Sequence, residues 1–323
     1  MKTTIIGIDH GNGNMKTTHT VFPCGYKMQE TEPSAMFAHD IIEYNGAYYS
    51  LTPNRFSYQV DKTTDEKCYI LTLFAVAKEL VARAEEEHTG EGFHFAKDFP
   101  DVKEEDVILA VGLPPAHFEK QHAAFKKYFE DRSRDGMNFS YNGKRFRLRT
   151  IGVTVYPQDF AAAIIYREDA VSQYRTVFCI DIGDGTVDML ALSGGMPDKN
   201  TMISRELGMS HLREQIIDDV INDYGMTLDG ATIDDVLSRR NVVIPEEIVE
   251  RIRKSTEDFA LRIVNQLHSK VPDFRIAPTI FCGGGASLLK PYLEKTGQFG
   301  KTDFISEIHA NAVGYEKIAE MSV

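Results

Sequence analysis

Apolar positions along the chain fall into two patterns. Near-continuous apolar runs over residues 3–9, 107–113, 175–181, 187–192 and 279–282 predict buried strands. Residues 41–51 form a further strand pair broken at Asn45-Gly46. Asn142-Gly143 divides 137–141 from 144–149 in the same way, because both residue types tolerate the positive φ of a two-residue hairpin turn. The second pattern is helical. Ile70, Leu73, Phe74, Ala77, Leu80, Val81 and Ala84 recur at i, i+3, i+4 and i+7, with Thr63 and Glu66 placed as a capping box and Gly90 as a stop. Pro245, Glu246 and Glu247 lead into Ile248, Ile252, Phe259 and Ile263, a long helix whose acidic first turn suits the helix dipole. Strands interleaved with helices predict an α/β fold. The acidic runs at 85–87 and 104–106 are expected on solvated helix ends or loops.

One pattern occurs twice. Residues 5–13 read IIGIDHGNG and residues 177–185 read VFCIDIGDG, each an apolar strand ending in Ile-Asp-x-Gly-[Asn/Asp]-Gly. Average residue usage makes such a match roughly a one-in-a-million event per site. Two similar α/β domains, each opening with a strand–turn–strand hairpin, account for it most simply. Either hairpin alone reads as a structural turn; the pair reads as phosphate binding, since glycines let backbone N–H groups approach an anion. Two such turns facing each other across a cleft grip a polyphosphate from both sides. Asp9 and Asp181, at the strand ends, would repel phosphates unless a cation such as hydrated Mg²⁺ sits between. Lys16 follows the first turn as a point charge, whereas the equivalent position in the second copy is Asp188. A P-loop is excluded because Met15, not glycine, precedes Lys16-Thr17, and neither turn has the third glycine of a dinucleotide fingerprint.

Composition narrows the function. The 323 residues are 42% apolar and 26% charged, enough for about two domains at roughly 100–200 residues each. A net charge of -12 disfavours direct nucleic-acid binding. No apolar run approaches the ~20 residues of a membrane span, and the N-terminal MKTTIIGIDHG lacks the shape of a signal peptide. Cys24, Cys68, Cys179 and Cys282 form no CxxC pair and read as core thiols of a reducing cytoplasm; the histidines show no metal-binding spacing. A third glycine cluster, TIFCGGGASLL (279–289), runs a strand into Gly283, Gly284 and Gly285 with Ser287 as the expected helix N-cap. Bare backbone of this kind suits a flat aromatic ring, or a crowded strand–helix crossover.

Together these segments resemble the actin/sugar-kinase/heat-shock-chaperone ATPase superfamily. GIDHGNGNMKT is similar to its first phosphate loop, CIDIGDGTVDML to its second and FCGGGASLL to its adenosine loop; VTVYPQDFAAAI (153–164) and NAVGYEKI (311–318) resemble the two connections between its halves. VILAVGLPPAHF (107–118) and VYPQDFAAA resemble bacterial actin-like plasmid-segregation proteins of the ParM type.

The resemblance implies two similar actin-like, ribonuclease-H-like domains around a central nucleotide cleft. Domain I would take residues 1–159 and 309–323, with an insert at about 20–70, and domain II residues 160–308, with a helical insert at about 205–270. It also implies ATP or GTP with Mg²⁺ as cofactors. Asp9 and Asp181 would hold the metal through water, Gly11, Asn12, Gly13, Asn14 and Met15 with Gly183, Asp184, Gly185 and Thr186 would wrap the phosphates, and Lys16 would reach their β/γ end. Gln158 falls where the family orients the attacking water, with Asp159 beside it as the alternative. EEIVERIRK (246–254) resembles the helix flanking the adenine and would place Arg253 near the base, although a solvated helix residue is the plainer reading.

The expected function is a cytoplasmic ATP hydrolase that assembles head to tail into dynamic filaments and segregates plasmid DNA through a separate DNA-binding adaptor, with no direct contact to nucleic acid or membrane. A small-molecule phosphotransferase of the same fold, using Asp159 as its catalytic carboxylate, and a structural filament for cell shape or organelle positioning are the alternatives.

Overall fold

The computed structural model describes residues 3–34, 39–56, 59, 61–90 and 92–322. Its strands in the first half are β1 (Thr3–His10), β2 (Asn14–Lys16), β3 (Val21–Pro23), β4 (Tyr26–Gln29), β5 (Ile41–Tyr44), β6 (Ala47–Leu51), β7 (Val102–Leu113), β8 (Met137–Tyr141) and β9 (Lys144–Pro157). The helices there are α1 (Lys67–Glu86), α2 (Phe95–Asp98) and α3 (Pro115–Arg132). The second half contains α4 (Phe160–Tyr166), α5 (Glu168–Gln173), β10 (Thr176–Ile182), β11 (Val187–Ser193), β12 (Met196–Arg205), α6 (Met209–Tyr224), α7 (Gly230–Leu237), α8 (Glu246–Leu267), β13 (Thr279–Cys282), α9 (Gly284–Lys295) and β14 (Thr302–Phe304), and the chain closes with α10 (Ala310–Glu320). Among the described residues no helix is long and apolar enough to cross a membrane.

The chain divides into two compact units. One comprises Met1–Leu113, His117–Pro157 and His309–Val323, the other Pro114–Ala116 and Gln158–Ile308. The first has a sheet of order β3-β2-β1-β7-β9-β8-β5-β6-β4, the second a sheet of order β12-β11-β10-β13-β14. The repeated sequence motif has become a repeated topology. In each unit a hairpin starts the sheet, its first strand then pairs parallel with a later strand (β1 with β7, β10 with β13), and a further parallel strand follows. A strand flanked on both sides needs apolar residues on both faces, which is why β1, β7, β10 and β13 read as continuous runs.

The helices follow their sequence patterns. α8 buries Ile248, Ile252, Phe259 and Ile263 and keeps Glu246 and Glu247 in its first turn. Asn45, Gly46, Asn142 and Gly143 all take positive φ, as two-residue hairpin turns require.

Four local expectations fail. Thr63 does not cap α1: Asp61 Oδ1 accepts from its N–H at 2.9 Å and its hydroxyl at 2.6 Å, so a local turn takes the groups a capping box needs. Ser287 is not an N-cap, because α9 already starts at Gly284. Residues 104–106 are not a loop but part of β7. There Glu105 accepts from Thr4 and Lys103, and Asp106 holds Arg149 of β9 through a bidentate pair, so distant partners satisfy carboxylates that look solvated in sequence. β12 was not anticipated, since MPDKNTMISR is a largely polar edge strand.

α10 lies on β1 and β7 because the sheet offers glycines where the helix crosses. A Cβ at Gly7 would sit 2.0 Å from the Ala312 carbonyl oxygen, while Gly7 N–H donates to Glu316 Oε2 at 3.1 Å. Gly7→Ala is therefore expected to push α10 outward and cost about 1–3 kcal/mol. Gly152→Ala, whose Cβ would meet Ile108 only at 3.7 Å, should shift the urea-unfolding midpoint far less.

Candidate functional site

Each unit carries one of the two glycine hairpins. In the first, β1 and β2 pair so that Asp9 lies opposite Lys16 and His10 opposite Met15. Asp9 is buried, and Lys16 Nζ lies 3.3 Å from its Oδ2. Gly11, Asn12 and Gly13 make the turn, and a Cβ at Gly11 would fall 2.5 Å from the Asn14 carbonyl oxygen. Cys24 pins this turn. Its N–H donates to Gly13 O at 3.1 Å and its thiol to Gly11 O at 3.0 Å. Within a trans peptide the carbonyl and the following N–H point in opposite directions, so the amides of Asn12 and Asn14 are aimed away from Cys24. Burial pushes the Cys24 thiol up to about 12, so it stays protonated and remains a donor. The Met15 side chain is buried in the core, leaving only its backbone for a ligand.

The hairpin is anchored from behind by Glu79 of α1, which is fully buried. Its carboxylate accepts from Thr17 Oγ1 at 2.6 Å, His19 N at 3.0 Å and Nδ1 at 2.6 Å, and Arg83 Nε at 2.7 Å. Burial alone would raise its pKa; the donors from Thr17, Arg83 and His19 outweigh that and hold it low. Arg83 also binds Glu316, which accepts from Thr18 Oγ1 at 2.9 Å.

His10 is buried between Phe125 and Phe129. Thr72 Oγ1 gives its proton to Cys68 O at 2.7 Å, so the 2.8 Å contact to His10 Nε2 is a donation from the ring. Burial, helped by Lys62, lowers the His10 pKa to about 3, and the imidazole is neutral.

In the second unit β10 and β11 repeat the register, with Asp181 opposite Asp188 and Ile182 opposite Val187. Here the start of α6 pins the turn. Gly208 N donates to Gly185 O, Met209 N to Gly183 O, and Ser210 N and Oγ to Asp184 O. The amides of Asp184, Gly185 and Thr186 consequently point away from α6, an anion-binding concavity. Arg213 bridges Asp184 at 2.8 Å and both oxygens of Asp234 at 2.9 Å. Thr186 Oγ1 donates to the buried Asp188 at 2.8 Å.

Two other segments converge on Asp181. Gly283 has φ +86, and a Cβ there would lie 2.0 Å from Asp181 Oδ1, so only glycine fits beside the carboxylate. Asp159 sits at φ 68 in a three-residue turn closed by Phe160 N donating to Gln158 O at 2.7 Å. That turn brings one ligand atom each of Asp159, Asp181 and Cys282 within 4.8 Å of one another. Two hard carboxylates at this spacing fit a hydrated divalent cation, and the Cys282 thiol contributes no ligand of that kind.

Arg253 stands apart. It pairs with Glu250 at 2.5 Å and lines a cavity of about 540 Å³ with Tyr292 and Lys295, in which none of Gly283, Gly284 or Gly285 takes part.

Residues 179–295 match the family model of the archaeal actin homologue MreB-like protein, C-terminal region. No curated protein matches the chain by sequence. Among solved structures, an archaeal actin homolog in complex with ADP is 17% identical over 98% of this chain and 99% of its own, with a TM-score of 0.71. The psk41 ParM protein in its apo form is 15% identical over 100% and 98%, with a TM-score of 0.70. A ParM from Clostridium botulinum, in a 15-stranded filament, is 16% identical over 99% and 100%, with a TM-score of 0.72. The chain therefore has the actin-like two-domain fold shared by ParM proteins and archaeal actin homologs.

Sequence reasoning missed Cys24, Glu79, Gly208 and Arg213, none of which lies in a motif of its own. Cys24 provides a direct check. Cys24→Ser keeps a donor for Gly11 O and should leave the turn intact. Cys24→Val removes about 1 kcal/mol of hydrogen bonding and should speed amide exchange at Asn12 and Asn14 about five-fold, read by hydrogen–deuterium exchange.

Proposed function

We propose that this chain is an actin-like nucleoside triphosphate hydrolase whose nucleotide state governs its assembly into head-to-tail filaments. The observation that carries this reading is the register-matched pair of glycine turns, each with a strand-end aspartate and each with its carbonyls pinned so that amides remain for phosphate. A heterologous contact repeated along an open rotation gives the filament. Segregation of plasmid DNA is the finer reading: the net charge of -12 leaves DNA to a basic adaptor.

Mg²⁺ at Asp181 and Asp159, with Asp9 contributing through water, would neutralise phosphate charge. Lys16 binds phosphate oxygens, and the turn amides orient them for in-line attack. Gln158 has no charge to act as a base, so its work is to orient the attacking water. Asp159 then belongs to the cation side, and the two neighbours have different tasks. A small-molecule phosphotransferase is the second reading, favoured only by the buried carboxylate of Asp159 beside Asp181.

Right-angle light scattering with and without MgATP tests the central claim: scattering should rise with MgATP and decay as phosphate is released. Turnover of an added sugar or carboxylate with no sedimenting polymer would favour the phosphotransferase instead. Asp181→Ala should abolish both scattering and hydrolysis. Gln158→Ala should keep nucleotide affinity but slow phosphate release by ten-fold or more, within the 10²–10⁴ that such groups contribute, and prolong the polymer. Asp159→Asn, which tolerates the positive φ, should instead weaken Mg²⁺-dependent binding.

A further inference from the structure

The first glycine turn is served by a second cation, which has no motif around it. Lys62 lies in the segment between β6 and α1, where Thr64 Oγ1 donates to Asp61 O at 3.1 Å and Asp61 also holds Thr63. This local turn carries the half-buried Lys62 side chain to the end of β1, where its ammonium donates to the His10 carbonyl. Lys62, His10, Gly11 and Asn12 line one small cavity of about 50 Å³, together with Lys67 and Cys68 at the start of α1.

The other lysines here each face a carboxylate. Lys16 pairs with Asp9 at 3.3 Å and Lys67 with Asp65 at 3.0 Å. Among the described residues no carboxylate pairs with Lys62, in a chain with 48 acidic and 36 basic residues. A neutral carbonyl is a weak partner for an ammonium taken partly out of water, and an anionic oxygen is a much stronger one. His10 offers no competing charge, since its ring is neutral and its Nε2–H is committed to Thr72. The Lys62 charge also bears on Cys24, the residue that pins the turn.

We propose that Lys62 is a second phosphate-binding ammonium of the first turn, which leaves the His10 carbonyl for a phosphate oxygen of the bound nucleoside polyphosphate. The inference rests on the nucleotide reading above. It assigns to Lys62, ahead of α1, a direct role in holding the ligand.

Lys62→Gln in the full chain is the discriminating variant, because the amide still donates to the His10 carbonyl but carries no charge. Calorimetric titration with MgATP at several salt concentrations should give an affinity roughly ten-fold lower than the parent, with a shallower salt dependence. The nucleotide-free unfolding midpoint should be unchanged. Lys62→Arg should recover most of the affinity. Parent-like affinity and salt dependence in Lys62→Gln would overturn the inference while leaving the nucleotide reading intact. Absence of MgATP binding by the parent would remove both. If Lys62→Gln folds poorly, Lys62→Arg decides: near-parent affinity supports the role of the charge, and a ten-fold loss refutes it.

Discussion

A trans peptide is a rigid plate, so whatever holds its carbonyl also aims the next N–H. Both glycine turns depend on this coupling. Glycine gives the chain room to turn, but room alone leaves the amides free to point anywhere. In the first unit one residue, Cys24, fixes two plates with its N–H and its thiol. In the second, three N–H groups at the start of α6 do the same for Gly183, Asp184 and Gly185. The helix can come so close only because residue 208 is glycine, whose Cβ would otherwise fall 2.2 Å from the Asp184 oxygen. Two unrelated devices thus produce one outcome: turn amides held in a fixed direction by what pins their carbonyls.

The two hairpins share a register but not a charge pattern. Opposite Asp9 stands Lys16, and opposite Asp181 stands Asp188. The first strand pair therefore carries its own compensating cation. The second sets Asp181 opposite Asp188 and brings a carboxylate oxygen of Asp181 within 4.8 Å of one of Asp159. Thr186 Oγ1 donates to Asp188 at 2.8 Å. The duplicated hairpins have in this way diverged, with an ammonium facing the strand-end aspartate in one copy and a second carboxylate facing it in the other.

What the sequence made legible follows from where the constraints are local. The glycine turns, the paired Asn-Gly hairpins and the amphipathic α8 each require residue types at fixed short spacings, so their elements could be read directly. Residues 104–106 misled because three consecutive acids look solvated, whereas Thr4 and Arg149, their partners on other strands, lie far away in sequence. β12 was invisible for the opposite reason: an edge strand needs no apolar alternation. Asp9, Lys16, Asp181 and Gly283 stand in the glycine motifs and could be picked out as candidates from them, while Cys24, Glu79 and Arg213 act across long sequence separations and leave no periodic trace. Arg253 lies on the exposed face of α8, where Glu246 and Glu250 pair with it.

Asp159 ties backbone strain to this chemistry. A non-glycine residue at φ 68 costs on the order of 1–3 kcal/mol and persists only where its surroundings over-determine it. Here they do. Phe160 N closes onto Gln158 O, and Ala163 N onto Asp159 O at 2.8 Å, so the turn runs directly into α4. An ordinary helical entry would satisfy the same backbone with less strain, but it would not deliver the carboxylate to Asp181 and Cys282. Gln158 and Asp159 are adjacent in sequence, yet the turn between them makes them unequal. One reaches inward to the charge cluster at no exposure, and the other keeps a slight opening to solvent.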